Sequence, residues 1–175
     1  KNNVTLNDKR DETVQKLTEA SAVYNYYNVI YLIFFKSFKQ EIYVMDALNK
    51  NNISAIKQNT DALSKFTEEG LKKTDTIRSF KNDASLKTAC KEALSFYKNE
   101  ADTKLNTLSD FLIKKEAFEK IKKSIDAKAQ SKRTQNDVDE FNKAVTDYNA
   151  ALGVFNTTIE KLNADRSKVL TKWNS

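Results

Sequence analysis

Apolar residues recur in steps of three and four along almost the whole chain, the spacing that places side chains on one face of an α-helix. The first such line is Leu17, Ala20, Tyr24, Tyr27, Tyr31, Phe34 and Phe38. Met45 and Leu48 continue it, with Ile42 standing in where the stripe would meet Glu41. A second line, Val23, Ile30 and Ile33, widens the stripe until most of the circumference between Tyr24 and Leu48 is apolar. A helix of that kind needs cover on several sides. The pattern predicts a first helix from Asp8 to Leu48, about 60 Å long, after a polar lead-in over residues 1–7. Thr5 followed by Asp8 resembles a capping box at its start.

Three further helices follow from the same reasoning. Asn49-Lys50-Asn51-Asn52 can end one helix and cap the next, because Asn tolerates left-handed backbone and caps N-termini. The second helix is expected over Ile53 to Phe80, with Ile53, Ile56, Leu63, Phe66 and Ile77 inward and Gly70 on the same stripe. Gly costs a helix about 1 kcal/mol relative to Ala, so its place on the stripe points to a close approach, with a tolerated weak spot as the alternative. Lys81-Asn82-Asp83 is the next connection, with Asn82 or Asp83 as cap. The third helix carries Leu86, Cys90, Ala93, Leu94, Tyr97, Ala101, Leu105, Leu108 and Leu112. Its pattern weakens near Lys114 and resumes at Phe118, Ile121 and Ile125, so residues 114–130 read as a continuation or a separate short helix. After a polar break at 130–134, Thr134 and Asp137 suggest another cap. The last helix keeps a strict seam through Val138, Phe141, Val145, Tyr148, Leu152, Phe155, Ile159, Leu162, Val169 and Trp173, interrupted only by Arg166. That repeat implies supercoiled packing on neighbours. The prediction is a single all-α domain, an antiparallel up-down-up-down four-helix bundle. A coiled-coil dimer built on the last helix is the alternative.

Composition narrows the chemistry. The chain has 175 residues, no Pro, two Gly, no His and one Cys. So few turn formers exclude an all-β fold. Without His, the commonest general base and metal ligand is missing, and so is the Glu-x-x-His motif of di-iron bundles. A lone Cys90 forms neither an intramolecular disulfide nor a thiolate metal cluster. On an inward face it reads as a buried, inert thiol. No Gly-rich phosphate loop occurs. These features predict a non-enzymatic protein without cofactor, metal or catalytic residues. The longest uninterrupted apolar run, Val29 to Phe35, is short of the roughly 20 residues a membrane span requires.

Three constellations are candidates for binding. Tyr24, Asn25, Tyr27, Asn28 and Tyr31 could line a small-molecule site, with the two amides on neighbouring positions. Such a stripe reads first as core. Residues 114–133 hold Lys114, Lys115, Lys120, Lys122, Lys123, Lys128, Lys132 and Arg133 against Glu116, Glu119 and Asp126, which is +5 of the chain's +6. Lys120, Lys122, Lys123, Lys128, Lys132 and Arg133 are candidate anion contacts, for a polyanion or an anionic membrane surface bound weakly and without specificity. A solvated face is the plainer reading. Specific nucleic-acid readout is not expected, since only one Arg is present and the sole aromatic, Phe118, belongs to the apolar stripe. Asn142, Asn149, Asn156 and Asn163 recur every seven residues beside the last seam and read as its rim.

Phe80-Lys81-Asn82-Asp83-Ala84-Ser85-Leu86, with Ala93-Leu94-Ser95-Phe96-Tyr97-Lys98, resembles the centre of a family of bacterial lipoprotein-type surface proteins. Tyr24-Asn25-Tyr26-Tyr27-Asn28-Val29-Ile30 and Met45-Asp46-Ala47-Leu48-Asn49 resemble two patches of that family's first helix. The resemblance covers roughly residues 22–112. It implies a helical bundle attached to the cell envelope, with no assigned activity and no catalytic motif. Lipid anchoring would require a modified Cys upstream of Lys1. The expectation is a scaffold or binding module with an unidentified protein or glycan partner.

Overall fold

A computed structural model describes residues 8–174, with side chains from Asp11 onward. The expected Thr5 cap lies outside the described residues. Helix α1 spans Asp8–Asn49 and α2 spans Ile53–Thr76. Helix α3, Ser85–Asn99, passes through a π turn at Glu100–Lys104 into α4, Leu105–Asp126. A short 3-10 turn at Gln130–Lys132 leads to α5, Gln135–Asn174. Among the described residues the only strand-like feature is an isolated bridge between Phe80 and Asp83.

Cross-helix pairs give the directions. Gln40 meets Asn59 and Lys36 meets Glu69, so α2 runs back along α1. Ser64 meets Asp102 and Asp75 meets Lys91, so α3 reverses α2. Glu92 meets Lys172, Phe111 meets Phe155 and Phe118 meets Phe141, so α5 returns along α4 and then α3. The α5 seam is spent inside the chain, on α4, α3 and α1, rather than on a second copy. Residues 114–126 continue the third helix.

The connections follow local chemistry. Asn51 adopts φ 51° and Asn52 caps α2 by accepting from the Ala55 amide at 3.0 Å. Helix α2 ends at Thr76, a turn before Phe80. Lys81 and Asn82 are left-handed there, and Asp83 accepts from the Ser85 amide at 2.7 Å, one residue before the cap at Ala84. Thr134 and Asp137 form the expected reciprocal box: the Thr134 amide donates to Asp137 Oδ2 at 2.8 Å and the Asp137 amide to Thr134 Oγ1 at 3.3 Å.

The core lies where four helices are side by side. Ile30, Ile33, Phe34, Val44 and Leu48 of α1 face Ile56 and Leu63 of α2, with Cys90, Leu94, Tyr97, Leu105 and Leu108 between them and α5. On α2, buried Thr60, Thr67, Gly70 and Thr74 replace larger side chains. Thr67 and Thr74 donate to the carbonyls of Leu63 and Gly70 at 2.9 and 2.7 Å, so these hydroxyls stay satisfied. The small stripe lets α2 approach closely: a Cβ on Gly70 would sit 3.1 Å from both Ile33 Cγ2 and Leu94 Cδ1.

Two expectations about α1 fail. Trp173 stacks on Phe34 at 4.0 Å, and the described part of α5 stops one residue later. Leu17, Ala20, Val23, Tyr24 and Tyr27 lie above that level and are exposed. Ile42 is exposed too, while Glu41 takes the inward position. At the other end, α4 past Leu112 and α5 before Phe155 form a two-helix extension whose seam is only half-buried, and Val138 is exposed.

The two glycines make a stability test. Gly70→Val should lower stability by about 1–3 kcal/mol through overpacking. Gly153, inside α5, has nothing within 4 Å of a built Cβ, so Gly153→Ala should raise stability by up to about 1 kcal/mol. Urea midpoints of the two variants read both effects, and equal shifts would contradict this packing.

Candidate functional site

The most unusual chemistry sits in the core. Glu41 of α1, Glu100 of the π turn and Arg166 of α5 converge at one point, their side chains 5%, 0% and 16% exposed. Arg166 Nη2 pairs with Glu41 Oε1 and lies 2.8 Å from Glu100 Oε1. Its Nη1 donates to Asn163 Oδ1 at 2.9 Å, and Met45 Sδ is 3.6 Å from Nη2. The second Glu100 oxygen, Tyr97 OH and Ser37 Oγ are buried close by in sequence without a hydrogen-bond partner among the described residues.

The helix carrying Glu100 is locally rewound. Ala93, Tyr97, Ala101 and Leu105 are four apart each time, and in a continuous α-helix such a run walks around the axis. The π turn takes up the drift, with the Leu105 amide bonding back to the Glu100 carbonyl. Both Glu100 and Ala101 thereby face inward. Such turns are rare and concentrate at functional sites. The unbroken run of fours was the sequence signal for it.

One guanidinium serves two carboxylates, so the cluster lacks one positive charge. Burial raises the Glu100 pKa to about 7, the Glu41 charge adds to the rise, and Arg166 opposes it. Burial raises Glu41 as well, against Arg166. Tyr97 is pushed up by burial and by both carboxylates. The cluster can therefore hold a proton near neutral pH and clamp three segments together. It contains no activated nucleophile: Cys90 is fully buried, with its thiol raised to about 12. No group of three or more His, Cys, Asp or Glu is placed to hold a metal among the described residues.

The candidate ligand-lining residues do not enclose a cavity. Tyr24 and Tyr27 are 64% and 42% exposed, Asn25 is exposed, and Asn28 and Tyr31 are half-buried. Tyr27 stacks on Tyr31 at 5.6 Å and Tyr31 on Phe35 at 5.5 Å, a ladder along the outside of α1. Tyr27 borders a shallow hollow of about 190 Å³ with Tyr26, Phe80 and Leu86.

The candidate anion contacts Lys120, Lys122, Lys123, Lys128, Lys132 and Arg133 are all exposed around the α4–α5 turn. Two are engaged. Lys120 pairs with Glu116 at 2.7 Å, and Lys128 reaches Asp137 at 2.5 Å. Lys128 pulls the Asp137 carboxyl down to about 2, helped by the Thr134 amide, so Lys128 is part of the α5 cap. The fold also sets this segment beside the start of α5, where Asp137, Asp139, Glu140 and Asp147 outnumber Lys143. The basic field is weaker than the linear sequence suggests.

Protonation sets the sign of a pH test. Glu100 is neutral in both folded and unfolded chains below about pH 4.5. Between pH 4.5 and 7 the folded chain binds the extra proton, so stability falls as pH rises through 7. The effect is set by how far burial and Glu41 raise Glu100 above the ordinary carboxylate range, to about 7. Thermal melts should show a lower Tm at pH 8 than at pH 5, and Glu100→Gln should remove most of that difference. Arg166→Met strands both carboxylates and should cost roughly 3–5 kcal/mol, less at pH 5 than at pH 8. Parallel pH profiles for wild type and Glu100→Gln would refute the assignment.

Set against protein-family models, curated proteins and solved structures, the chain matches none.

Proposed function

We propose that this chain is a non-catalytic binding module of the cell envelope that holds a helical segment of a partner protein on the outer face of α1. One observation carries the reading. Leu17, Tyr24, Tyr31, Phe35 and Ile42 follow one another at spacings of seven and four, and four of them are 37–64% exposed, with Tyr31 half-buried. This is the spacing of a coiled-coil seam, set outside the bundle. Monomeric proteins seldom leave so long an apolar stripe uncovered unless something binds there. The stripe runs for nearly 40 Å at 1.5 Å per residue. That length suits an amphipathic helix, read through anchors a turn or two apart. A glycan would stack on one or two rings and leave the remainder bare.

The non-catalytic part of the proposal draws on the absence of His from the sequence and on the inert surroundings of Cys90. The envelope location draws on the resemblance carried by residues 80–86 and 93–98, and so does lipid anchoring. No helix among the described residues is long and apolar enough to cross a membrane. A small-molecule site at Tyr24 to Tyr31 is the weaker reading, because those side chains form a ridge rather than a hollow.

Photo-crosslinkers placed at Tyr24 and at Tyr31 in the native cells should give the same discrete adduct, mapping to a helical stretch of one protein. A crosslinker at the exposed Thr157 of α5 should not give it. With the probe at Phe35, the double variant Tyr24→Asp, Tyr31→Asp should lose the adduct while keeping the wild-type circular dichroism. Equal, diffuse labelling from all three positions would defeat the protein-partner reading. Resistance of the protein in intact cells to added protease, with release in the cytosolic fraction, would defeat the envelope location.

A further inference from the structure

The α1 side opposite the aromatic ladder borders a groove against α2 with a volume of about 480 Å³. Its floor and walls are Val29, Leu32 and Ile33 from α1, Phe66 and Gly70 from α2, and Ile77 just past the end of α2. Val29 and Leu32 are 50% and 64% exposed, so apolar surface is open to solvent inside a concavity. The volume lies within the range of small-molecule sites.

Charge is arranged along one rim. Lys36 Nζ is 3.0 Å from Glu69 Oε2 and 3.8 Å from the centre of the Phe66 ring, so Lys36 and Glu69 neutralise each other and close one end. Lys73, one turn beyond Glu69, also borders the groove and pairs with no carboxylate among the described residues. Glu69 also feels Lys73 at longer range, so with two ammoniums and one carboxylate the rim carries a net charge of +1 beside an apolar floor. From Phe66 to Thr76 the groove follows about 15 Å of helix, enough for an alkyl chain of roughly ten to twelve carbons. On α1 the lining runs only from Val29 to Lys36, too short for a docked helix.

We propose that this groove binds a single-chain amphiphile with an anionic head, such as a medium-chain carboxylate, the tail lying on Leu32 and Phe66 and the head meeting Lys73. The site is independent of the partner face on α1. The tail supplies affinity through burial of methylenes, and the ammonium selects the sign of the head group.

Isothermal titration with dodecanoate, dodecyl maltoside and dodecyltrimethylammonium, each below its micelle concentration, tests this on the whole chain. Dodecanoate should bind one to one and up to about fivefold tighter than the neutral chain, a ratio set by one partly screened charge. Leu32→Asp should abolish binding of all three. Lys73→Glu should remove the preference for dodecanoate while the neutral chain still binds. Both positions are at the surface, and circular dichroism checks that the variants stay folded. The double variant Tyr24→Asp, Tyr31→Asp should bind dodecanoate as wild type does, which separates this site from the proposed partner face. Absence of saturable dodecanoate binding overturns the proposal, as does binding insensitive to Leu32→Asp or a head-group preference that survives Lys73→Glu.

Discussion

A buried cation shared by two buried anions is what the rest of this bundle depends on. Arg166 links α1 to the π turn through Glu41 and Glu100, and thereby fixes where α5 sits against both. Apolar surfaces slide at modest cost, whereas three desolvated charges are tolerable only in register. Trp173 stacks on Phe34 two turns further on, and Phe155 meets Phe111 three turns back. Both contacts inherit the register set between them.

The cluster also accounts for the rewound helix. A straight α3–α4 helix would carry its inward face around the axis along Ala93, Tyr97, Ala101 and Leu105. The π turn corrects the face within five residues and presents a carboxylate there. The small stripe of α2 acts alongside it. With Thr and Gly where other bundles place Leu, α2 comes close enough for Ile33 and Leu94 to meet over Gly70. Close packing lies on one side and charge pairing on the other, and the binding surfaces proposed for this chain lie on its outside.

Much of the fold was legible in the residues because it is written locally. The Asn52 cap, the left-handed Asn51 and the Thr134–Asp137 box are decided by neighbours a few positions apart. The α5 seam from Phe141 to Trp173 was legible for the same reason, a period within one helix. Glu41 and Arg166 were visible only as two interruptions in two apolar stripes. Their meaning is that each is the other's partner, and a partner at the opposite end of the chain leaves no trace in a helical period. The ladder from Tyr24 to Tyr31 was read as core because an apolar stripe announces that it needs cover, not whether cover arrives. How far α5 reaches along α1 is a tertiary fact. The candidate anion segment was read correctly as exposed, while the acidic start of α5 beside it is a consequence of the hairpin.

Stability must be graded along this molecule. Between Phe34 and Phe111 each helix is held by several neighbours. Beyond Leu112, α4 has only α5 to lean on, and Phe118, Ile121 and Ile125 stay half-buried. Segments with few buried contacts open with smaller free energies than the global one. Amide protons in that extension exchange through local openings while those around Glu100 wait for global unfolding. The clasp of Thr134, Asp137 and Lys128 sits at the far tip, where a frayed end would otherwise begin.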